Sequence, residues 1–263
     1  MKATLLGTST AIGMPAPLCS CQYCQQVNRT RPSLFIQTQN KNILFDVSPD
    51  INKQSHNRFE NIDGVFLTHH HHDHATGIRE LNHTTLNPER VVMEGKVSSS
   101  KIPKWLSQEY DIHCSSYVKK HLLSDMSYIF ERDNMNIVEV SDTQSINVGN
   151  LEIIPFIAEH CLGYLGYVIK TEGRKIVYHP DYGKLRTDVK FDNVDTLITD
   201  VSSILGYNIH GTEEQFNELV EDVNPDEILG TNVSEHLSQE NTNSLKEKVS
   251  GTNIKIVSDG YTF

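Results

Sequence analysis

The segment Thr68-His-His-His-His-Asp-His-Ala-Thr-Gly77 places His69, His71, Asp73 and His74 at H-x-H-x-D-H spacing. In an extended loop alternate residues share a side, so His69 and His71 point one way while Asp73 and His74 approach from the next turn. Imidazole and carboxylate together suit Zn²⁺ and, with more carboxylate or water, Mn²⁺ or Fe²⁺. His70 and His72, at the intervening positions, are expected to be exposed or to lie behind the ligands. An appended tag would be terminal, whereas this run follows a core-like strand and precedes a helix start at Ala75-Thr-Gly77-Ile. The bland alternative is a solvent-exposed His-rich loop that meets metal only adventitiously.

Two cations need further ligands, and His160 and Asp181 stand at the ends of apolar segments, in Pro155-Phe-Ile-Ala-Glu-His160 and Ile176-Val-Tyr-His-Pro-Asp181. Either residue alone reads as a surface polar group; beside the histidine run the balance reverses. An aspartate so placed can bridge two cations about 3.5 to 4 Å apart, which together activate a water near neutral pH and take up charge on a phosphoryl or carbonyl oxygen. The chemistry that follows is hydrolysis. Asp46, in Phe45-Asp-Val-Ser-Pro-Asp50, can fix a ligand histidine by accepting its other N–H, or can simply form a turn.

Of the five cysteines, three crowd into Cys19-Ser-Cys21-Gln-Tyr-Cys24. That spacing is too tight for a disulfide framework and suits a metal.

These side chains need a scaffold, and the pattern around them supplies strands. Strand signals occur at Lys2–Gly7, Ser33–Thr38, Asn42–Asp46 and Gly64–Thr68, the last leading directly into the histidines. More follow at Asn136–Val140, Leu151–Phe156, Gly166–Lys170, Lys175–Tyr178, Thr196–Thr199, Glu227–Gly230 and Asn253–Val257. Residues 78 to 135 read as mixed helix and loop, with short helices at Lys101–Tyr110 and Ser115–Leu123. Thr212–Val223 carries Phe216, Leu219, Val220 and Val223 at helical spacing, with Glu213 and Glu214 at the positive end of the helix, and Ser238–Val249 is also helix-like. Two strand-rich halves with helices after each predict two sheets packed face to face with helices outside, a four-layer αββα sandwich.

A chain of 263 residues with 37% hydrophobic content fits one such domain spanning 1–263. The first residues lack the apolar core of a secretory signal, and no apolar run approaches the roughly 18 residues of a membrane span. The expectation is a soluble, cytoplasmic protein with no membrane partner. A net charge of −11, from 34 acidic and 23 basic side chains, argues against a broad nucleic-acid-binding face.

The motifs carry a family resemblance. Leu5-Leu-Gly-Thr-Ser-Thr, Cys19-x-Cys21-x-x-Cys24, Arg31-Pro-Ser-Leu, Phe45-Asp-Val-Ser-Pro-Asp50, Leu67-Thr-His-x-His-x-Asp-His-x-x-Gly77, Tyr178-His-Pro-Asp181, His210-Gly-Thr-Glu-Glu and Ser258-Asp-Gly-Tyr run almost end to end. Together they resemble the PhnP-type phosphodiesterases of the metallo-β-lactamase superfamily, relatives of tRNase Z that open a five-membered cyclic phosphate. The histidine motif marks the superfamily, and the cysteine triplet narrows the likeness to this branch. The resemblance implies the metallo-β-lactamase fold, with two divalent metals, Zn or Mn, in the active site. His69, His71 and His160 would hold one, Asp73 and His74 the other, with Asp181 bridging. Cys19, Cys21 and Cys24 would hold a separate structural Zn²⁺. His210 and Asp73 are the implied catalytic residues, His210 as general acid toward the leaving oxygen. A homodimer acting on a small phosphorylated substrate is the expected form.

One departure matters. The family carries a final pair of histidines three apart, the first on the second catalytic metal and the other on the cysteine site. Counting from Asn224-Pro225 puts Asn232 and Glu235 there, yet His236-Leu-Ser resembles the first histidine with its followers. The favoured register assigns His236 to the catalytic metal, because an amide is a poor ligand beside imidazole; the other frees it to cap the cysteine zinc. Either way one site lacks its usual fourth ligand. The leading function is hydrolysis of a small cyclic phosphodiester. The alternatives are a cyclic-nucleotide phosphodiesterase, a lactonase or thioesterase, and a PqqB-like biosynthetic accessory protein. A tRNA-processing nuclease fits poorly for want of a basic arm.

Overall fold

The structure is a computed structural model that describes residues 1–85, 108–131, 134–171 and 173–263. Strands β1 (Lys2–Gly7), β2 (Ser33–Gln37), β3 (Asn42–Phe45), β4 (Gly64–Phe66), β5 (Tyr110–Cys114) and β6 (Met135–Glu139) form one sheet. Strands β7 (Ile146–Val148), β8 (Leu151–Ile157), β9 (Leu165–Thr171), β10 (Arg174–His179), β11 (Val194–Asp200), β12 (Pro225–Thr231) and β13 (Ile254–Lys255) form the other. A last strand, β14 (Tyr261–Thr262), returns to pair with β1, so the first sheet runs β14-β1-β2-β3-β4-β5-β6.

Each sheet buries both faces, and side-chain alternation along the strands divides three apolar layers between them. Ile43 and Phe45 of β3, Tyr167 and Ile169 of β9 and Ile198 of β11 meet between the sheets. Leu44, from the opposite face of β3, packs with Ile112, Val118, Leu122 and Ile129 beneath helix α5 (Ser116–Phe130). Val168 and Leu197 pack outward against Phe216, Leu219 and Val223 of α6 (Glu213–Val223) and Leu245 of α8 (Thr242–Lys248). Helix, sheet, sheet, helix is the four-layer sandwich expected from the strand pattern. Three short helices, α2 (Ile51–Ser55), α3 (His72–Ala75) and α4 (Ile78–Leu81), lie on the first sheet's side, α1 (Gln22–Gln26) lies in the cysteine loop, and α7 (Glu235–Ser238) precedes α8.

Some boundaries differ from the sequence reading. The predicted helix at Lys101–Tyr110 falls largely outside the described residues, and its last residue begins β5 instead. That strand alternates buried Tyr110, Ile112 and Cys114 with the less buried Asp111 and His113, a period of two. The helix expected from Ser115 starts with the Ser115 side chain accepting from Val118 N, and continues past Leu123 to Phe130. The helix expected over Ser238–Val249 starts later, at Thr242, where the Asn241 side chain caps it, and Ser238 instead ends the short α7.

In the second sheet β8, β10, β11 and β12 run in one direction, β9 being antiparallel to both β8 and β10. Their carboxyl ends therefore open at one edge.

Candidate metal centre

The site is built from segments that follow the carboxyl ends of strands: His69 after β4, His160 after β8, Asp181 after β10, Asp200 at the end of β11, which sequence reasoning had not placed here, and Asn232 after β12, which one of the two registers had. Gly77 lets the loop after β4 press close. Its amide donates to Val47 O at 2.9 Å, and a Cβ there would stand 2.1 Å from Ser48 O.

The centre is one carboxylate oxygen ringed by imidazoles. Asp181 Oδ2 lies 3.0 Å from His74 Nε2, 3.5 Å from His69 Nε2, 3.7 Å from His160 Nε2 and 3.6 Å from His210 Nε2. His160 Nε2 is 3.3 Å from His71 Nδ1, and Asp73 Oδ2 is 3.2 Å from His74 Nε2. The structure thus brings together His69, His71, Asp73, His74, His160, Asp181 and His210. It leaves out His72, whose side chain is 57% exposed, and His70, whose ring stacks on His121 of α5 at 4.1 Å.

Partners behind the site fix the rings. Asp46 Oδ2 lies 2.7 Å from His74 Nδ1, and the same carboxylate accepts from Thr68 N, Thr68 Oγ1 and Tyr178 OH. With Nδ1 so engaged, His74 directs Nε2 at Asp73 and Asp181. His210 Nδ1 is 2.6 Å from Asp200 Oδ2, a carboxylate that also accepts from Ser202 N. Asn232 Nδ2 donates to Asp181 Oδ1 at 2.9 Å and to Pro180 O at 3.1 Å, leaving Oδ2 to face the imidazoles.

Burial dominates the titration of the ring. It pushes His69 well below the usual histidine range and His160 down to about 4, so both are neutral with lone pairs free. Burial opposes charge on His74 too, but Asp181, Asp73 and Asp46 outweigh it and hold that ring well above its ordinary value. For His210 burial is likewise overcome, by the Asp200 hydrogen bond and by the charges of Asp181 and Asp200, and its pKa is raised. His69 Nε2 is fully buried with no hydrogen-bond partner. A buried, unpaired lone pair is costly unless something electrophilic accepts it, and a divalent cation among these nitrogens and carboxylates fits that need.

The cysteine loop makes a second cluster. Cys19, Cys21 and Cys24 gather with His236, whose Nδ1 is 3.4 Å from both Cys19 Sγ and Cys21 Sγ. Backbone amides donate to the sulfurs, Ala16 N to Cys24 Sγ at 3.3 Å among them. The His236 contact is the main influence that lowers Cys21 to about 6, which favours the thiolate a metal needs. Three thiols and one imidazole are a closed donor set for a structural Zn²⁺. This corrects the register favoured from the sequence: His236 belongs to the cysteine site, and Asn232 occupies the position beside the catalytic cluster. The step between them is four residues, and Glu235, within it, turns inward to pair with buried Arg29 at 2.8 Å.

A model of the beta-lactamase superfamily domain matches residues 41–231, most of the chain. The chain belongs to the beta-lactamase superfamily. Among curated relatives, an octanoyltransferase from Porphyromonas gingivalis is 40% identical over 87 residues, and a ribonuclease Z from Archaeoglobus fulgidus is 25% identical over 178. These alignments cover 31% and 66% of this superfamily member but only 18% and 49% of the relatives, so it spans at most about half the length of either. A solved diphosphatase from the PhnP family superposes with a TM-score of 0.76 at 20% identity, covering 100% of this chain and 97% of that one. Zn²⁺-bound PqqB from Methylobacterium extorquens superposes with a TM-score of 0.72 at 15% identity, covering 100% and 99%. The fold is the metallo-β-lactamase fold.

Proposed function

We propose that this superfamily member is a metal-dependent hydrolase of a phosphodiester in a small substrate, a cyclic phosphate being the favoured case. The observation that carries the reading is His210, its Nδ1 held by Asp200 at 2.6 Å and its Nε2 3.6 Å from Asp181 Oδ2. That is a proton donor fixed at the edge of a cation-binding cluster.

His69, His71 and His160 would hold one cation and His74 and Asp73 the other, with Asp181 between them. When bound, two divalent ions would supply a water activated near neutral pH and positive charge to offset that on the phosphoryl oxygens. The protein's own groups do the rest. Asp46 and Thr68 keep His74 in one orientation. Asp200, accepting from His210 Nδ1, favours the protonated ring and leaves the Nε2 proton for the departing alkoxide, a poor leaving group that gains most from an acid. Both the diphosphatase and the ribonuclease Z act, by their names, on phosphate esters or anhydrides, which supports phosphoryl chemistry over a carboxylic ester.

The test is hydrolysis of bis-p-nitrophenyl phosphate and of 1,2-cyclic and 2′,3′-cyclic ribose phosphates by metal-loaded protein. Turnover of a cyclic phosphate is expected; inactivity on all three overturns the reading. Asn232 in the catalytic cluster favours one other possibility, an accessory protein that carries only the cysteine-site zinc. One metal per chain by elemental analysis would point there, and three would point to the hydrolase.

A further inference from the structure

We propose that Cys161 is a further protein ligand of the three-histidine site, so that a cation there is held by three imidazole nitrogens and one thiolate beside the Asp181 carboxylate. The proposal rests on the histidine cluster being a metal centre. One ligand atom from each of His69, His71, His160 and Cys161 lies within 4.8 Å of all the others. Donors about 2.0 to 2.3 Å from one cation are about 3 to 4 Å apart. The His71–His160 pair is already at 3.3 Å, so a modest inward movement completes the set.

A half-buried thiol can be mere filling in an apolar wall. Two observations set Cys161 apart from that. Its sulfur lies within 4.8 Å of a ring nitrogen of His69, whose Nε2 is buried without a hydrogen-bond partner. It also follows His160 directly, on a loop turned back on itself: Tyr164 N donates to Cys161 O at 3.2 Å, and Gly163 takes a φ of +77° that a side chain would resist. A Cβ at Gly163 would stand 2.5 Å from Tyr117 Cβ, so α5 holds this turn from outside. The sulfur is therefore presented to the imidazoles by a constrained loop.

On binding, the S–H proton leaves to solvent as the sulfur–metal bond forms, with no change of oxidation state. A thiolate beside three imidazoles favours Zn²⁺ or Co²⁺ over Mn²⁺. Cys161 thereby sets the metal preference of this site, whereas Asp73 and Asp181 make the neighbouring one harder.

The experiment is to load wild type, Cys161→Ser and Cys161→Ala with Co²⁺, count the metal, and compare the near-ultraviolet thiolate-to-cobalt absorption. Cys19, Cys21 and Cys24 contribute equally in all three proteins. The intensity is expected to fall by about one quarter in both variants, four thiolates becoming three, and the Zn²⁺-over-Mn²⁺ preference to fall about tenfold or more. Three cobalt ions per chain with unchanged absorption overturns the role of Cys161 alone; one ion per chain overturns the metal centre with it. Should both variants fail to fold, wild type decides. Alkylation mapped to Cys161 by mass spectrometry should be suppressed by metal, and equal labelling of apo and loaded protein overturns the proposal.

Discussion

Asn232 and His210 show what single residues add to a shared scaffold. Asn232 adopts a φ of +56°, a left-handed conformation that asparagine and histidine tolerate better than most residues. Asn232→His is therefore expected to fit and to raise affinity for the cation beside His74 by about tenfold, measured by competition with a chelator. His210→Ala should lower kcat about a hundredfold or more for a diester with an alkyl leaving group, yet under about tenfold for one losing p-nitrophenolate, which needs little acid help. Equal losses on both substrates would place His210 in binding rather than in proton donation. His69, His71, Asp73 and His74 were legible because they are neighbours on the chain. Asp200 was not, and Asn232 was reached only through the less favoured register, because each gains its meaning only when β11 and β12 lie beside β10.

At the scale of elements, α7 decides how the C-terminal segment meets the cysteine loop. Its first residue, Glu235, accepts from both Arg29 Nε and Nη2, and Arg29 also donates to Thr8 Oγ1 and Val257 O. Pair and partners are buried together. Glu235→Gln leaves the guanidinium without its counter-charge and should cost about 3 to 5 kcal/mol in chemical denaturation. Burial alone would raise the Glu235 pKa, but the Arg29 hydrogen bond and charge outweigh it and hold it below the usual carboxylate value. The stabilisation is then full above that usual value and is lost as pH falls through the depressed one, so wild type and variant should converge in acid. The sequence reading assigned His236 to the catalytic metal because an amide is a poor ligand beside imidazole; the inward turn of Glu235 toward Arg29 is invisible in spacing. β5 was missed for a simpler reason: it is short, and Asp111 and His113 on its less buried face leave no continuous apolar run.

At the scale of the molecule, the two-sheet architecture was legible because strands buried on both faces leave apolar runs that survive inspection one segment at a time. The three apolar layers divide as side-chain alternation requires. What strand runs alone do not reveal is that four of them end at one edge, which follows from β9 reversing between β8 and β10. The loops at that edge are free to differ among proteins that share the sandwich, so a common fold leaves the substrate open.

The stretch from Asn232 to His236 is a strut between two clusters. One end grips the aspartate at the middle of the imidazole ring, and the other reaches the thiols of a surface loop. A cation held by those thiols and His236 would brace the strut, and stripping it would slacken the strut and loosen a carboxylate in the interior. His236→Ala is accordingly expected to weaken metal retention among the distant histidines, although its side chain touches none of them. Dialysis against a mild chelator, with the ions counted at each step, would reveal that remote loosening as two losses where one ligand was removed.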